Sequence, residues 1–517
     1  MKRQSGVLLH ISSLPGPFGI GDSGPSAERF ADFISAAGFS LWQILPVSPI
    51  SSAFGNSPYS SSSVFAASDC FISPEKLVRD GLLCEEDIFR YRGESGLRAD
   101  YSAARKIRRE LLLTARRNYL SEPGRFKEIS DGFADFCMEE SYWLDDYAVF
   151  NALKDELGDV CWNEWPAKYC FRDNGAIASF AGAPSNNDRI SFTKFSQYIF
   201  MRHWDSLCAY CRDRNISIIG DMPMFAALDS SDVWAHQNMF DLDANGRPNC
   251  VAGVPPDYFS ATGQRWGNPL YRWDKMEADG FDWWNRRMER SLRCFDIVRV
   301  DHFRGFCGYW AIPASDETAV NGEWRAAPGG KFFEMLSKKM SAERLGNSVI
   351  AEDLGIITDD VTNLKNAMGF PGMDVLLFAF GSGIADNPYI PHNIPRNSVM
   401  YTGTHDNNTA AGWWSDEASE EERRNFCAYL GRTPGDCGEA ASLMVTAAMT
   451  SQADMTVIPM QDLLGLGSSC RMNTPGRTAN NWQWRLTEQQ FASVSSADSD
   501  IIRKLALLNS ISGRAPK

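Results

Sequence analysis

The sequence has no stretch of about 18 consecutive apolar residues, so no membrane-spanning helix is expected. It also has no block of Lys or Arg. With 51 basic against 65 acidic side chains the formal charge is −14, which argues against nucleic acid or an anionic membrane as the main partner and suits a neutral substrate. Pro and Gly are not in excess, so disorder does not dominate. The basic start Met1-Lys2-Arg3 is not followed by a long apolar segment, so no secretion signal is expected and a cytoplasmic location is. The 13 cysteines are odd in number and scattered, as suits reduced thiols. Only Cys208 and Cys211 form a C-x-x-C, on a helical pattern over 204–214, with no second pair or His cluster to complete a zinc site.

Several chemistries lack their signatures as well. There is no G-x-S-x-G elbow, so His405-Asp406 has no serine nucleophile to serve. The six His are dispersed, without H-x-x-x-H or H-E-x-x-H spacing, so no metal is implied. No G-x-x-x-x-G-K-[ST] loop is present to cradle phosphate.

What is there is a series of short apolar runs, each ending in polar or glycine-rich residues: 7–12, 41–47, 216–225, 295–303, 348–354, 373–380, 399–406 and 455–463. Their β-branched content and length read as strands buried on both faces. Helical patterns over 27–37, 282–294 and 330–345 lie between them. The expected fold is an α/β single-domain (β/α)8 barrel over 1–517. Its spacing is uneven. Residues 50–215 read as an inserted, mostly helical subdomain between the second and third strands, and 229–273 as a Pro-, Gly- and aromatic-rich insertion after the third. The tail beyond 463 is shorter than the ~100 residues of a β-sandwich, so none is expected.

Barrel enzymes draw catalytic groups from the C-terminal ends of several strands. Four runs carry an acid there: Asp221 in IIGDMPMF, Asp301 in IVRVDHFRGF, Glu352 in VIAEDLG and Asp406 in YTGTHDNN. Any one could merely cap a following helix, but four at the same rim point to shared chemistry. Arg299 and Asp301 are two apart on a strand and so leave it on one side. An Arg there favours the ionised carboxylate that a glycosidase nucleophile needs. Glu352 adjoins Asp353, and crowding by like charge would keep a proton on a general acid. Strand pattern alone leaves open which of the two points inward. His405 and Asp406 suit hydrogen bonding to sugar hydroxyls, and loop aromatics such as Tyr59, Tyr258, Phe259 and Trp266 suit the C–H faces of sugar rings.

Together Asp221, RVDHFRGF, AEDLG and THDN resemble the four signature segments of the α-amylase clan. The match is nearer to its 4-α-glucanotransferases, the amylomaltases of glycoside hydrolase family 77. It extends through SSLPGPFGIGD (12–22), WQILPVSP (42–49), NSPYSSSSVFAASD (56–69), GVPPDYFSATGQRWGNPLYRWD (253–274), TGTHDNNT (402–409), QDLLGLGSSCRMNTPG and NWQWR.

The resemblance implies Asp301 as nucleophile, Glu352 rather than Asp353 as acid/base, and Asp406 as stabiliser of the distorted donor sugar. Arg299, Asp221 and His405 would surround them. Ser57, Tyr59, Asp257, Tyr258, Phe259, Trp266 and Asn268 would contact substrate, with 255–259 as a covering loop. It implies transfer of an α-1,4-glucan segment to the 4-OH of a glucan or glucose, with no cofactor. The alternatives are a hydrolase of the same clan and a non-catalytic glucan-binding protein. Two departures bear on specificity: Asp374, where the family is often basic, and the apolar Ala-Ala-Leu between Phe225 and Asp229.

Overall fold

The computed structural model describes residues 3–122, 124–256, 260–477, 479–496 and 499–516. Among the described residues the strands are β1 (Gln4–Leu8), β2 (Leu41–Gln43), β3 (Ser217–Met222), β4 (Cys250–Val254), β5 (Gln264–Pro269), β6 (Ile297–Val300), β7 (Gly308–Pro313), β8 (Glu323–Ala326), β9 (Val349–Ala351), β10 (Gly372–Val375), β11 (Ser398–Tyr401) and β12 (Met455–Pro459). Eight form a parallel sheet in the order β10-β11-β12-β1-β2-β3-β6-β9. The ends meet where the Ala351 N–H donates to Pro371 O at 2.9 Å. This is the (β/α)8 barrel, and each of the eight apolar runs supplies one of its strands.

The strands are short, but their neighbours make the wall continuous. Trp42 on β2 is fully buried and its indole N–H donates to Leu9 O at 2.8 Å, tying the rim ends of two adjacent strands. Gly220 on β3 lies against Phe295, and a Cβ there would stand 2.1 Å from that ring. Only glycine fits beside Asp221 with this side chain in place.

Residues 50–215 are mainly helical, with helices at Tyr101–Ser121, Lys127–Glu139, Ser141–Leu157 and Pro184–Arg212. The C-x-x-C belongs to the last of these. Cys208 and Cys211 are both buried, and the Cys208 thiol donates to Cys294 O at 3.7 Å, so the pair packs the helix onto the barrel. A second sheet, β5-β4-β7-β8, is antiparallel throughout. Two of its strands come from 229–273 and two from the segment after β6, a partnership that local periodicity does not announce. Among the described residues no helix is long and apolar enough to cross a membrane.

Candidate active site

The C-terminal ends of β3, β6, β9 and β11 bring the four acids of the sequence to one rim. Asp221 and Arg299 are paired residues of the β3–β6 ladder. Their side chains leave the same face, and Arg299 Nη1 lies 2.8 Å from each Asp221 oxygen. The same nitrogen is 3.0 Å from Asp301 Oδ1, so one buried guanidinium serves two carboxylates. Arg299 Nε turns to Met373 Sδ at 3.3 Å across the barrel interior.

The Tyr59 hydroxyl donates to Asp221 Oδ2 at 2.6 Å and lies 2.9 Å from His405 Nε2. A phenol has one proton to give. With that proton on Asp221, His405 Nε2 must carry its own hydrogen and donate to the phenol oxygen. The two rings stack at 5.2 Å and 16°. His405 Nε2 is also 3.4 Å from Asp406 Oδ2, and Asn473 donates to Asp406 Oδ1 at 2.5 Å. Asp406 is thereby oriented from both sides while its side chain stays 45% exposed and open to a ligand.

Glu352 is held by the backbone. Its Oε2 accepts the His302 N–H at 2.7 Å and its Oε1 the Leu354 N–H at 2.8 Å. The first donor directly follows Asp301, so the loop of one carboxylate positions the other. His302 takes a left-handed backbone conformation, φ 50°, to present that N–H. Asp353 points elsewhere: Lys365 Nζ reaches its Oδ2 at 2.5 Å and the Met373 N–H donates to its Oδ1 at 2.7 Å. It is a structural ion pair at the foot of the loop, and geometry separates the two acids that strand pattern could not.

The electrostatics depart from the sequence expectation, in direction at Asp301 and in cause at Glu352. Asp301 is pushed up to about 6, chiefly by burial and further by Asp221 and Asp406, although Arg299 and His405 pull it down. Arg299 does favour the anion, but it is divided between Asp221 and Asp301 and does not offset burial. Glu352 is pushed up to about 7 by burial and then by the nearby Asp301, against Arg299 and its two backbone donors. The like charge that crowds Glu352 is therefore Asp301; Asp353 is neutralised by Lys365.

The remaining sequence candidates fall into three groups. Trp266 is 38% exposed on β5 and meets His302 edge-on at 4.9 Å, so it stands at the rim. Ser57 and Asn268 act one step back. Ser57 Oγ accepts the Tyr59 N–H at 3.3 Å, shaping the turn that delivers Tyr59, and Asn268 donates to Ala226 O at 3.0 Å. Asp257, Tyr258 and Phe259 lie outside the described residues.

Asp374 does not point into the barrel. Its neighbour Met373 points into the barrel toward Arg299, and strand alternation sends Asp374 outward. There it is buried and pushed up to about 6, first by desolvation, with Asp353 and Lys365 as its charged neighbours. The Ala-Ala-Leu loop works through its carbonyls: Ala226 O accepts from Asn268 and Leu228 O accepts from Trp162 at 2.6 Å.

Sequence reasoning overlooked His302, Arg471, Asn473 and Trp482. Arg471 donates to Asp406 O at 2.6 Å, and the Trp482 ring lies 5.8 Å from Tyr59 and 5.9 Å from His405. The last three come from the segment after β12, whose only signal was the resemblance of its runs QDLLGLGSSCRMNTPG and NWQWR to the family. Among the described residues no group of His, Cys, Asp and Glu could hold a metal ion.

A barrel rim carrying two carboxyl groups of raised and unequal proton affinity, with a third beside them, has the layout of an enzyme that works on glycosidic bonds. The sequence model of glycoside hydrolase family 77, 4-alpha-glucanotransferase, matches residues 9–490. The chain belongs to this family, and its reaction is glucan transfer. It is 43% identical to the 4-alpha-glucanotransferase of Aquifex aeolicus (strain VF5) over 486 residues, covering 94% of this chain and 96% of the relative. It is 44% identical to that of Thermus thermophilus over 491 residues, covering 94% and 95%. Among solved structures, the amylomaltase of Streptococcus agalactiae in complex with acarbose superposes with a TM-score of 0.92 at 34% identity, covering 100% of both chains.

Proposed function

We propose that transfer runs as a retaining double displacement with Asp301 as nucleophile, Glu352 as acid/base and Asp406 as the group that holds the distorted donor sugar. The observation that carries this reading is the Glu352 anchor: its carboxylate is fixed by the N–H next to Asp301, so acid and nucleophile are set relative to one another by a single peptide. In the first step an Asp301 oxygen forms a bond to the anomeric carbon. The glycosidic C–O bond breaks, and the Glu352 proton goes to the departing 4-oxygen. In the second step Glu352 takes the proton of an incoming 4-OH, whose oxygen displaces Asp301. The order of proton affinity supports these roles, Glu352 at about 7 above Asp301 at about 6. Retention through a covalent intermediate requires carboxyl groups about 5–5.5 Å apart.

Around them, Arg299, Asp221, Tyr59 and His405 form a polar wall for the donor sugar, and Trp266 lines the approach. Ser57 and Asn268 support Tyr59 and the loop at Ala226. Residues 50–215 and 229–273 act as insertions that shape the cleft. The substrates are α-1,4-glucans of the starch and glycogen type, from maltooligosaccharides to amylose, with glucose as an acceptor. That the Streptococcus agalactiae amylomaltase was solved in complex with acarbose supports a sugar ligand for this chain. The thirteen free cysteines support a reducing, cytoplasmic setting.

Incubation of the pure protein with maltotriose and a chelator tests the acceptor. Glucose plus a ladder of longer maltodextrins, at constant total reducing ends, is the result for transfer. Rising reducing ends would assign water as the acceptor instead.

A further inference from the structure

Beside the loops that carry Asp301 and Glu352, a second large aromatic ring besides Trp266 is left open. Trp324 stands on the edge strand β8 of the antiparallel sheet and is 44% exposed. Arg304, three residues after Asp301, places its guanidinium carbon 4.0 Å from the ring centre. Trp310, its direct partner across the β7–β8 ladder, meets it at 5.3 Å and 65°. Trp310 is itself fixed, its indole N–H donating to Ala319 O at 2.8 Å.

Arg304 also donates through Nη1 to Ile356 O, four residues beyond Glu352. One side chain thus joins the nucleophile loop, the acid/base loop and the Trp324 ring. The ring is covered on one face by Arg304 and flanked by Trp310, so its exposed area belongs to the other face. Ile356, 62% exposed, lies at the far end of the same clamp.

A single exposed Trp on a strand edge is ordinary. This one differs in being rigid and in being tied to both catalytic loops. A fixed ring loses little freedom when a sugar C–H face stacks on it, and a glucan longer than the catalytic site must leave the rim somewhere.

We propose that Trp324, with Ile356 at the far end of the Arg304 clamp, is a distal glucan platform that holds glucosyl units of a long α-1,4-glucan beyond those at the catalytic carboxylates. The occupant is a neutral sugar chain because the open face is apolar and because Arg304, on the ring's covered face, ties the ring to the loops at which the glucan reacts. The inference rests on the placement of the reaction at Asp301 and Glu352.

The test compares the full-length wild type with W324A and W324F, each checked for a native thermal melt. For each, kcat/KM is measured with maltotriose and with a long, size-fractionated maltodextrin, and the long-to-short ratio is read. The platform predicts that the wild type favours the long substrate, that W324A loses about five- to tenfold of that ratio, the size of one aromatic stacking contact, and that W324F keeps most of it. An unchanged ratio in W324A overturns the proposal. So does an equal loss on both substrates, which would make Trp324 a prop for Arg304. A wild type without length preference overturns it too. D301N separates the two levels: transfer persisting in that variant would show that the reaction had been placed in the wrong cleft.

Discussion

Arg299 Nη1 sits 2.8 Å from both oxygens of Asp221 and 3.0 Å from Asp301 Oδ1. The side chains of Arg299 and Asp221 are almost wholly enclosed, at 4% and 0% exposure. Replacing Arg299 by Met leaves a buried carboxylate with no counter-ion, which costs about 3–5 kcal/mol. R299M should unfold at correspondingly lower denaturant, and its activity should require higher pH because Asp301 gains proton affinity. An R299M protein as stable as wild type would show that the ion pair is not what holds this rim together.

The pH dependence follows from two carboxyl groups with opposite requirements. In the proposed displacement Asp301 must be ionised to attack, and with its affinity raised to about 6, activity falls as pH drops below that value. Glu352 must hold a proton in the first step, and with its affinity at about 7, activity falls as pH rises above it. The kcat/KM profile for maltotriose should therefore be a narrow bell peaking between about 6 and 7, with both limbs belonging to the coupled pair. A flat profile from pH 5 to 8 would contradict the pairing.

Glu352 and Asp353 are neighbours with different tasks, and mutation should separate them. E352Q removes the proposed proton donor and should lower kcat on maltotriose by about 10²–10⁴-fold. Much of the first step should return with an α-glucosyl fluoride donor, whose leaving group needs no protonation. D353N breaks the pair with Lys365, 2.5 Å away, and should reduce stability while leaving kcat within about tenfold, since stability and turnover are lost through separate contacts. Reversed phenotypes would reverse the assignment.

Tyr59 connects Asp221 to His405 through one hydroxyl. Y59F keeps the stacked ring and deletes the hydrogen bonds. Because one of them goes to a charged group, kcat/KM should fall about 10–100-fold, with a melting temperature close to that of wild type. A Y59F enzyme of normal activity would reduce the tyrosine to packing.

The barrel was legible because its strands are buried on both faces and so appear as uninterrupted apolar runs, and the rim acids because they end those runs. Arg299 and Asp301 shared a face by strand alternation alone. The partition of Glu352 and Asp353 was not legible, since it depends on Lys365 and the Met373 amide, 12 and 20 residues downstream of Asp353. Nor was the net effect on Asp301, because the sequence gives no sign that Asp221 takes half of Arg299. The second sheet was hidden for a similar reason: β4 and β7 pair across more than fifty residues of chain, and their register lies in no local period. Arg471, Asn473 and Trp482 reach the rim from beyond the last barrel strand, where neither helix nor strand spacing marks a residue as functional.

The central claim is that Asp301 becomes covalently bonded to the donor sugar. The most direct measurement is to treat E352Q with a 5-fluoro-α-glucosyl fluoride, digest it, and locate the added mass by peptide sequencing. The account predicts a glycosyl ester on Asp301, in the peptide containing Val300, Asp301 and His302, and none in D301N. An ester on Asp221 or Asp406, or a product of inverted anomeric configuration with no labelled peptide, would contradict it.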